Sequence, residues 1–141
     1  MGTPASVRAL HESRYVVGRT CGLVVCFPIG EVSEVGRLPG HFRSGFQGPG
    51  PAVLHLHGRT SPIADLSGLL GLPAHGGAPQ WFVAGRGDPP LCVTLESVDG
   101  VRSANEQPVG VPGAPTLRVV ELDGRSVPVV PLAALARGER T

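Results

Sequence analysis

Aromatic side chains are scarce in this 141-residue chain: one Trp, one Tyr and four Phe. Rings so few and so scattered make no platform on which bases stack. A net charge of +1 gives no basic surface for nucleic acid or anionic lipid, and the basic tail from Arg137 to Arg140 is interrupted by Glu139. Long apolar runs are missing too. The longest, residues 23–29 (LVVCFPI), contains Pro28, whereas a membrane-spanning helix needs about 20 apolar residues. Residues 1–11 lack the charged start and apolar stretch of a secretory signal. The cysteines, Cys21, Cys26 and Cys92, are odd in number, which points to free thiols in a reducing compartment. The expectation is a soluble, cytoplasmic protein that inserts into no membrane and binds no nucleic acid.

Signals of catalysis are equally thin. There is no Gly-x-Ser-x-Gly elbow, no paired-acid cluster and no metal-protease helix. Asp65 and Ser67 are close in sequence, but nothing positions a histidine beside them. Gly48-Pro49-Gly50 and Gly85-Arg86-Gly87 lack the Lys-Ser/Thr or the helix that phosphate cradling requires, and read as loop glycines. Cys21 and Cys26 are four residues apart without a second pair, so neither a zinc nor a redox motif is complete. Cys26 and Cys92 read as small buried hydrophobes. The chain is expected not to be an enzyme and to hold no cofactor and no metal. A small metal- or thiol-dependent enzyme is the alternative from another class.

What the chain does have is glycine and proline, 21 and 15 residues, set between short apolar clusters. That punctuation predicts an all-β domain. Strands are expected at 14–19, 23–27, 52–57, 60–66, 80–84, 90–95, 117–122 and 125–130, with short helices at 67–72 and 131–136. Asp123-Gly124 is a strong hairpin signal. Residues 30–35 and 98–101 read as turn segments, 36–51 as a long loop from which Phe42 and Phe46 can reach down, and 74–79 as a linker. The domain plan is a loose arm at 1–13, one domain at 14–136 and a tail at 137–141. The domain divides into subdomains at about 14–73 and 79–136.

An internal repeat supports two subdomains. At an offset of 66 residues, Leu56, Gly58, Arg59, Pro62, Leu66 and Leu69 coincide with Leu122, Gly124, Arg125, Pro128, Leu132 and Leu135. The same offset superposes Cys26 on Cys92, Val32 on Val98 and Val35 on Val101. Each unit therefore carries a strand, two valines three apart, a Gly-Arg hairpin and a Leu-rich helix. Five short strands bury little alone, so two units are expected to share a core.

The order and spacing of four segments resemble the CheW family of chemotaxis coupling proteins. They are residues 25–35 (VCFPIGEVSEV), 53–66 (VLHLHGRTSPIADL), 95–101 (LESVDGV) and 122–135. In the second, Leu56, Gly58, Pro62, Asp65 and Leu66 match the family's hairpin. The resemblance covers residues 14–136 and implies two small five-stranded SH3-like barrels around a shared core, with short helices. It implies an adaptor between a chemoreceptor signalling tip and the regulatory domain of a CheA-type histidine kinase. Val32, Glu34, Val35, Val98 and Val101 match the receptor-facing segments; His55, His57 and Gly58 match the kinase-coupling hairpin.

Departures from the family qualify this. His55 and His57 stand where the family has Asn and Arg, and Pro131 replaces an acidic position. Arginine offers a fixed charge and a planar fork of donors; neutral histidine offers neither. An alternative is thus a divergent adaptor that binds the receptor but has lost direct kinase binding, as in Frizzy-type motility pathways. Two further alternatives stay open. The four valines line a partner groove or fill the core. His55 and His57, joined by His41 or a cysteine, bind metal or are surface imidazoles.

Overall fold

A computed structural model describes residues 12–38, 53–71, 79–109 and 117–137. Among the described residues ten strands carry the architecture: β1 (Glu12–Thr20), β2 (Leu23–Pro28), β3 (Glu34–Arg37), β4 (Val53–Leu56), β5 (Arg59–Ala64), β6 (Trp81–Ala84), β7 (Cys92–Leu95), β8 (Ser97–Val109), β9 (Leu117–Leu122) and β10 (Arg125–Pro128). A 3₁₀ turn at Ile29–Glu31 precedes β3, and two short helices, α1 (Leu66–Leu69) and α2 (Leu132–Ala136), follow β5 and β10. The segments expected as a loop, a linker, an arm and a tail fall largely outside the described residues, and Phe42 and Phe46 fall wholly outside them.

The hairpin turns follow from backbone chemistry. A two-residue connection that matches strand twist needs positive φ at both central residues. Cys21-Gly22 (51°, 77°), His57-Gly58 (51°, 77°) and Asp123-Gly124 (52°, 76°) all have it. The glycine adopts that conformation without a Cβ penalty. The turn expected at 30–35 is present only in its first part, as the 3₁₀ turn. Residues 34–37, expected as the end of that turn and the start of the loop, form β3, and 98–101, expected as a turn, belong to the 13-residue β8. Polar residues and Gly100 hide the alternation of β8. Its pairing with β1, from Glu12↔Asn105 to Arg19↔Ser97, imposes the extended conformation.

The strands form two five-stranded sheets, β10-β9-β8-β1-β2 and β3-β6-β7-β5-β4. These are two small barrels, but they are not the consecutive units expected on either side of residues 73–79. Each barrel takes two strands from one repeat and three from the other. The first contains β1 and β2 with β8, β9 and β10; the second contains β6 and β7 with β3, β4 and β5. The repeat is real and the exchange is symmetric. A parallel pair joins Ile63 to Cys92 in the second barrel, and a parallel bridge joins Cys26 to Val129 in the first, the same two positions 66 residues apart. Likewise Val17↔Cys26 matches Ala84↔Cys92, and Val16↔Val101 matches Val83↔Val35, with β1 and β6 offset by 67.

The cores obey the same relation. The first barrel buries Tyr15, Val17, Cys26, Ala104, Val120, Leu122, Val127 and Val129. The second buries Phe82, Ala84, Cys92, Leu38, Leu54 and Ile63, with Leu56 packed against them. Bulk is redistributed between mates. Leu38, Leu54 and Ile63 are larger than Ala104, Val120 and Val129; Ala84 is smaller than Val17. A third cluster joins the barrels and includes Val16, Phe27, Val32, Leu66, Val83, Val93 and Leu132. Burying a side chain of this size contributes about 1.5–3 kcal/mol.

Ser61 is one of four buried polar side chains among the described residues, with Thr20, Ser67 and Thr94, and it stands where the first barrel has Val127. It is fully buried, and its hydroxyl has no hydrogen-bond partner among the described residues. An orphaned buried hydroxyl costs about 1–3 kcal/mol. Ser61→Ala removes that cost without adding bulk to an already filled barrel, so urea denaturation is expected to show a gain of about 1 kcal/mol. A loss of that size would mean that the hydroxyl is satisfied from beyond the described residues.

Candidate functional site

The candidate residues gather where β2 leaves the first barrel and β3 enters the second. Pro28 ends β2, and the 3₁₀ turn closes with the Val32 amide donating to the Ile29 carbonyl at 3.2 Å. Val32 is already extended (φ −104°, ψ 127°), which leads the chain into β3. The Ser33 amide then donates to the Ala84 carbonyl at 2.8 Å, and its hydroxyl to the Gly85 carbonyl at 2.6 Å. The switch between barrels is thereby fixed on both sides of Val32.

Of the four valines, Val32 is buried in the shared core, and Val35 and Val98 pack against it. Val101 is different, with 46% of its surface exposed. It pairs directly with Val16, as Val35 pairs with Val83, and both partners belong to the shared core. Directly opposed residues share a sheet face. Three of the four valines therefore fill the seam between barrels, while Val101, opposite Val16, stays exposed.

Glu34, Val35's neighbour, is half-buried. Its Oε1 lies 2.8 Å from Nε2 of His57, which projects from the β4–β5 turn. The strands β3 and β4 are the two ends of the second sheet, so this contact spans its open side. The histidine is charged only when protonated, and its side chain is 77% exposed. The contact is then a hydrogen bond or an exposed ion pair, worth about 1 kcal/mol or less. The candidate receptor-facing and kinase-facing sets thus meet at one contact. Gly58 completes the turn, and His55 lies on the exposed face of β4 with Nδ1 3.3 Å from the Thr60 hydroxyl.

His57 sits in the turn at positive φ rather than in the strand, so strand alternation does not align it with His55. Among the described residues no three His, Cys, Asp or Glu side chains cluster as a metal site would require; His41 lies outside those residues. Asp65 is the N-cap of α1: its Oδ1 accepts from the Ser67 amide at 3.2 Å, the Ser67 hydroxyl at 2.9 Å and the Thr94 hydroxyl at 3.4 Å. That geometry is a capping network.

Sequence reasoning missed the counterpart of the Glu34–His57 contact. Asp123, the repeat-mate of His57, accepts two bonds from the Arg102 guanidinium of β8, at 2.9 and 3.2 Å. Hydrogen bonding to Arg102, then its charge, holds the Asp123 carboxyl below its ordinary range. Both barrels thus tie a hairpin turn to the strand that crosses from the other barrel, with the acid on the strand in one and on the turn in the other. The repeat carried the signal, since it aligns β8 with β3; reading 98–101 as a turn concealed it.

Cys26 and Cys92 form no disulfide and have no exposed surface, and the Cys26 thiol donates to the Pro128 carbonyl at 3.5 Å. Burial, and secondarily the nearby Glu34 charge, push the Cys92 thiol from 9.0 to about 11. A raised thiol pKa stabilises the fold fully below pH 9, where the thiol is neutral folded or unfolded. Above pH 9 the unfolded thiol ionises first, so stability falls up to about pH 11, by roughly 2–3 kcal/mol in all. Denaturation midpoints between pH 8 and 11 are expected to fall less steeply for Cys92→Ala than for the natural chain. Parallel slopes would remove Cys92 as the source.

No protein-family model matches this sequence, and no curated protein matches it. Among the described residues no helix is long and apolar enough to cross a membrane. The fold is found among solved structures. The chain is similar to the scaffolding protein TtCheW from Thermoanaerobacter tengcongensis, with a TM-score of 0.67 over 92% of this chain and 97% of that one, at 13% identity. At that identity the likeness is one of fold: two SH3-like β-barrels, built here by exchange between repeats.

Proposed function

We propose that this chain is a non-enzymatic cytoplasmic adaptor that couples a chemoreceptor to a CheA-type histidine kinase. The observation that carries the reading is the fold likeness to a scaffolding protein along nearly the whole of both chains. The four motif-like segments of the sequence support it independently. In this reading Glu34 and Val101 meet the receptor's helical tip, with Val32, Val35 and Val98 shaping the seam beneath. Apolar residues ringed by one acid suit an amphipathic helical partner. His55, His57 and Gly58 face the kinase regulatory domain. The adaptor acts by holding two partners in a fixed orientation and raising their effective concentration.

A second reading is favoured by one contact. His57 is engaged by Glu34 and carries charge only when protonated, so it is a weaker anchor than arginine. In that reading the chain binds the receptor and no longer binds the kinase directly.

Calorimetric titration separates the two. The purified chain is titrated with a receptor-tip fragment and with a kinase regulatory domain from the same genome. Binding of both is expected for the full coupling protein; binding of the receptor alone selects the second reading. Binding of neither would remove the adaptor assignment.

A further inference from the structure

Each repeat ends in a short helix, and the two helices are capped differently. In α1, Asp65 accepts from the Ser67 amide. Sixty-six residues on, α2 has Pro131 at its N-cap and no side-chain cap of its own. Proline has no side-chain acceptor. The equivalent donor is the Ala133 amide, and it is satisfied from elsewhere: it donates to Oε1 of Glu31 at 3.1 Å, 102 residues away in the chain. Glu31 closes the 3₁₀ turn immediately before Val32. The same turn is held on its other side by the Arg86 guanidinium, which donates to the Gly30 carbonyl at 2.7 Å. A cap that α1 makes locally has become, in α2, a tie to the segment that carries the candidate receptor-facing residues.

We propose that Glu31 is a positioning residue: by clasping the first turn of α2 it holds the crossover at residues 29–33 around the buried Val32, and with it Glu34, in the geometry that presents the acid to a partner. This deepens the adaptor reading and rests on it for the nature of the partner, here an amphipathic helical tip. Three features favour a clasp over a simple cap. The carboxylate comes from outside the helix's own repeat. It joins elements at opposite ends of the chain, since the turn follows β2 and α2 follows β10. The helix it grips buries Leu132 and packs Leu135 on the same shared core that receives Val32.

The cap and the clasp can be separated. Pro131→Asp gives α2 the capping residue that α1 already has. Glu31→Ala then removes the clasp from a helix that caps itself. In the double variant, amide hydrogen exchange at Ala133 is expected to stay as slow as in the natural chain. Exchange at residues 31–35 is expected to quicken by about tenfold, and binding of a receptor-tip fragment to weaken by a similar factor, which is a coupling of ordinary size. Glu31→Gln, which keeps an acceptor oxygen, is expected to bind as the natural chain does. If the double variant exchanges and binds like the natural chain, Glu31 is only a cap and the proposal is overturned. If the natural chain fails to bind the fragment, the adaptor reading falls, and exchange at residues 31–35 alone decides the clasp.

Discussion

Cut at residue 75, neither half of this chain is expected to fold as a monomer. A half keeps the β1–β2 and β4–β5 hairpins, or their mates β6–β7 and β9–β10, but loses the strands that complete each barrel. In the N-terminal half β1 loses its pairing with β8 along eight positions, β3 loses β6 and β5 loses β7. An isolated hairpin is marginal in water. The shared core is divided as well: Val16, Phe27, Val32 and Leu66 fall on one piece, Val83, Val93 and Leu132 on the other. At concentrations where it stays monomeric, each half alone is expected to show narrow amide dispersion and no cooperative unfolding. Mixing the halves is expected to restore a one-to-one folded complex, because every lost pairing lies between them. Self-association of one half is also consistent, since a second copy can supply β3, β4 and β5 to the first copy's β1 and β2. A compact, cooperatively unfolding monomer of residues 1–75 would contradict the exchange.

Charge reversal at Glu34 is expected to have the largest effect on binding. Glu34→Lys removes the contact with His57, whose loss costs the fold about 1 kcal/mol or less because the pair is exposed on the histidine side. If the acid is buried and hydrogen-bonded against the receptor, losing it costs roughly 2–5 kcal/mol, so affinity for a receptor-tip fragment should fall by more than about tenfold. His57→Ala distinguishes direct from indirect action. It releases Glu34 from its internal partner without altering the acid. If Glu34 meets the receptor itself, His57→Ala leaves receptor affinity within about twofold, well below 1 kcal/mol. If both variants weaken binding equally, the internal contact rather than the acid is what matters, and the receptor-facing assignment of Glu34 fails.

The sequence made the local devices of this fold legible and hid the long-range ones. Asp123-Gly124 marked a hairpin because positive φ is a demand on single residues. The β-branched runs marked β1 and β2 because pleated, half-buried surfaces select such side chains. The repeat at 66 residues was visible as identity, and it correctly paired the hairpins and helices. Which repeat completes which barrel was not visible. That choice is made by β8 lying along β1 and β3 along β6, pairings whose partners are far apart in sequence and whose local patterns are polar or interrupted. The valine pairs were found by spacing. Spacing alone could not say that Val32 is buried while Val101 is open, because that depends on how the barrels meet. Glu34 and His57 are each candidates in the sequence, assigned to separate surfaces. Their contact depends on the two ends of the second sheet coming together, which no local signal records. Pro131 stood out as a departure, but its consequence, an acceptor supplied by Glu31, became visible only once the chain's ends were seen side by side.

Receptor-tip assemblies on vesicles, mixed with a CheA-type kinase from the same genome and sedimented with and without this chain, test the adaptor assignment most directly. The expected result is that the kinase pellets with the receptor only when the chain is present, and that Glu34→Lys abolishes the effect. Kinase that pellets equally with or without the chain, or a chain that stays in the supernatant under all conditions, would contradict the assignment.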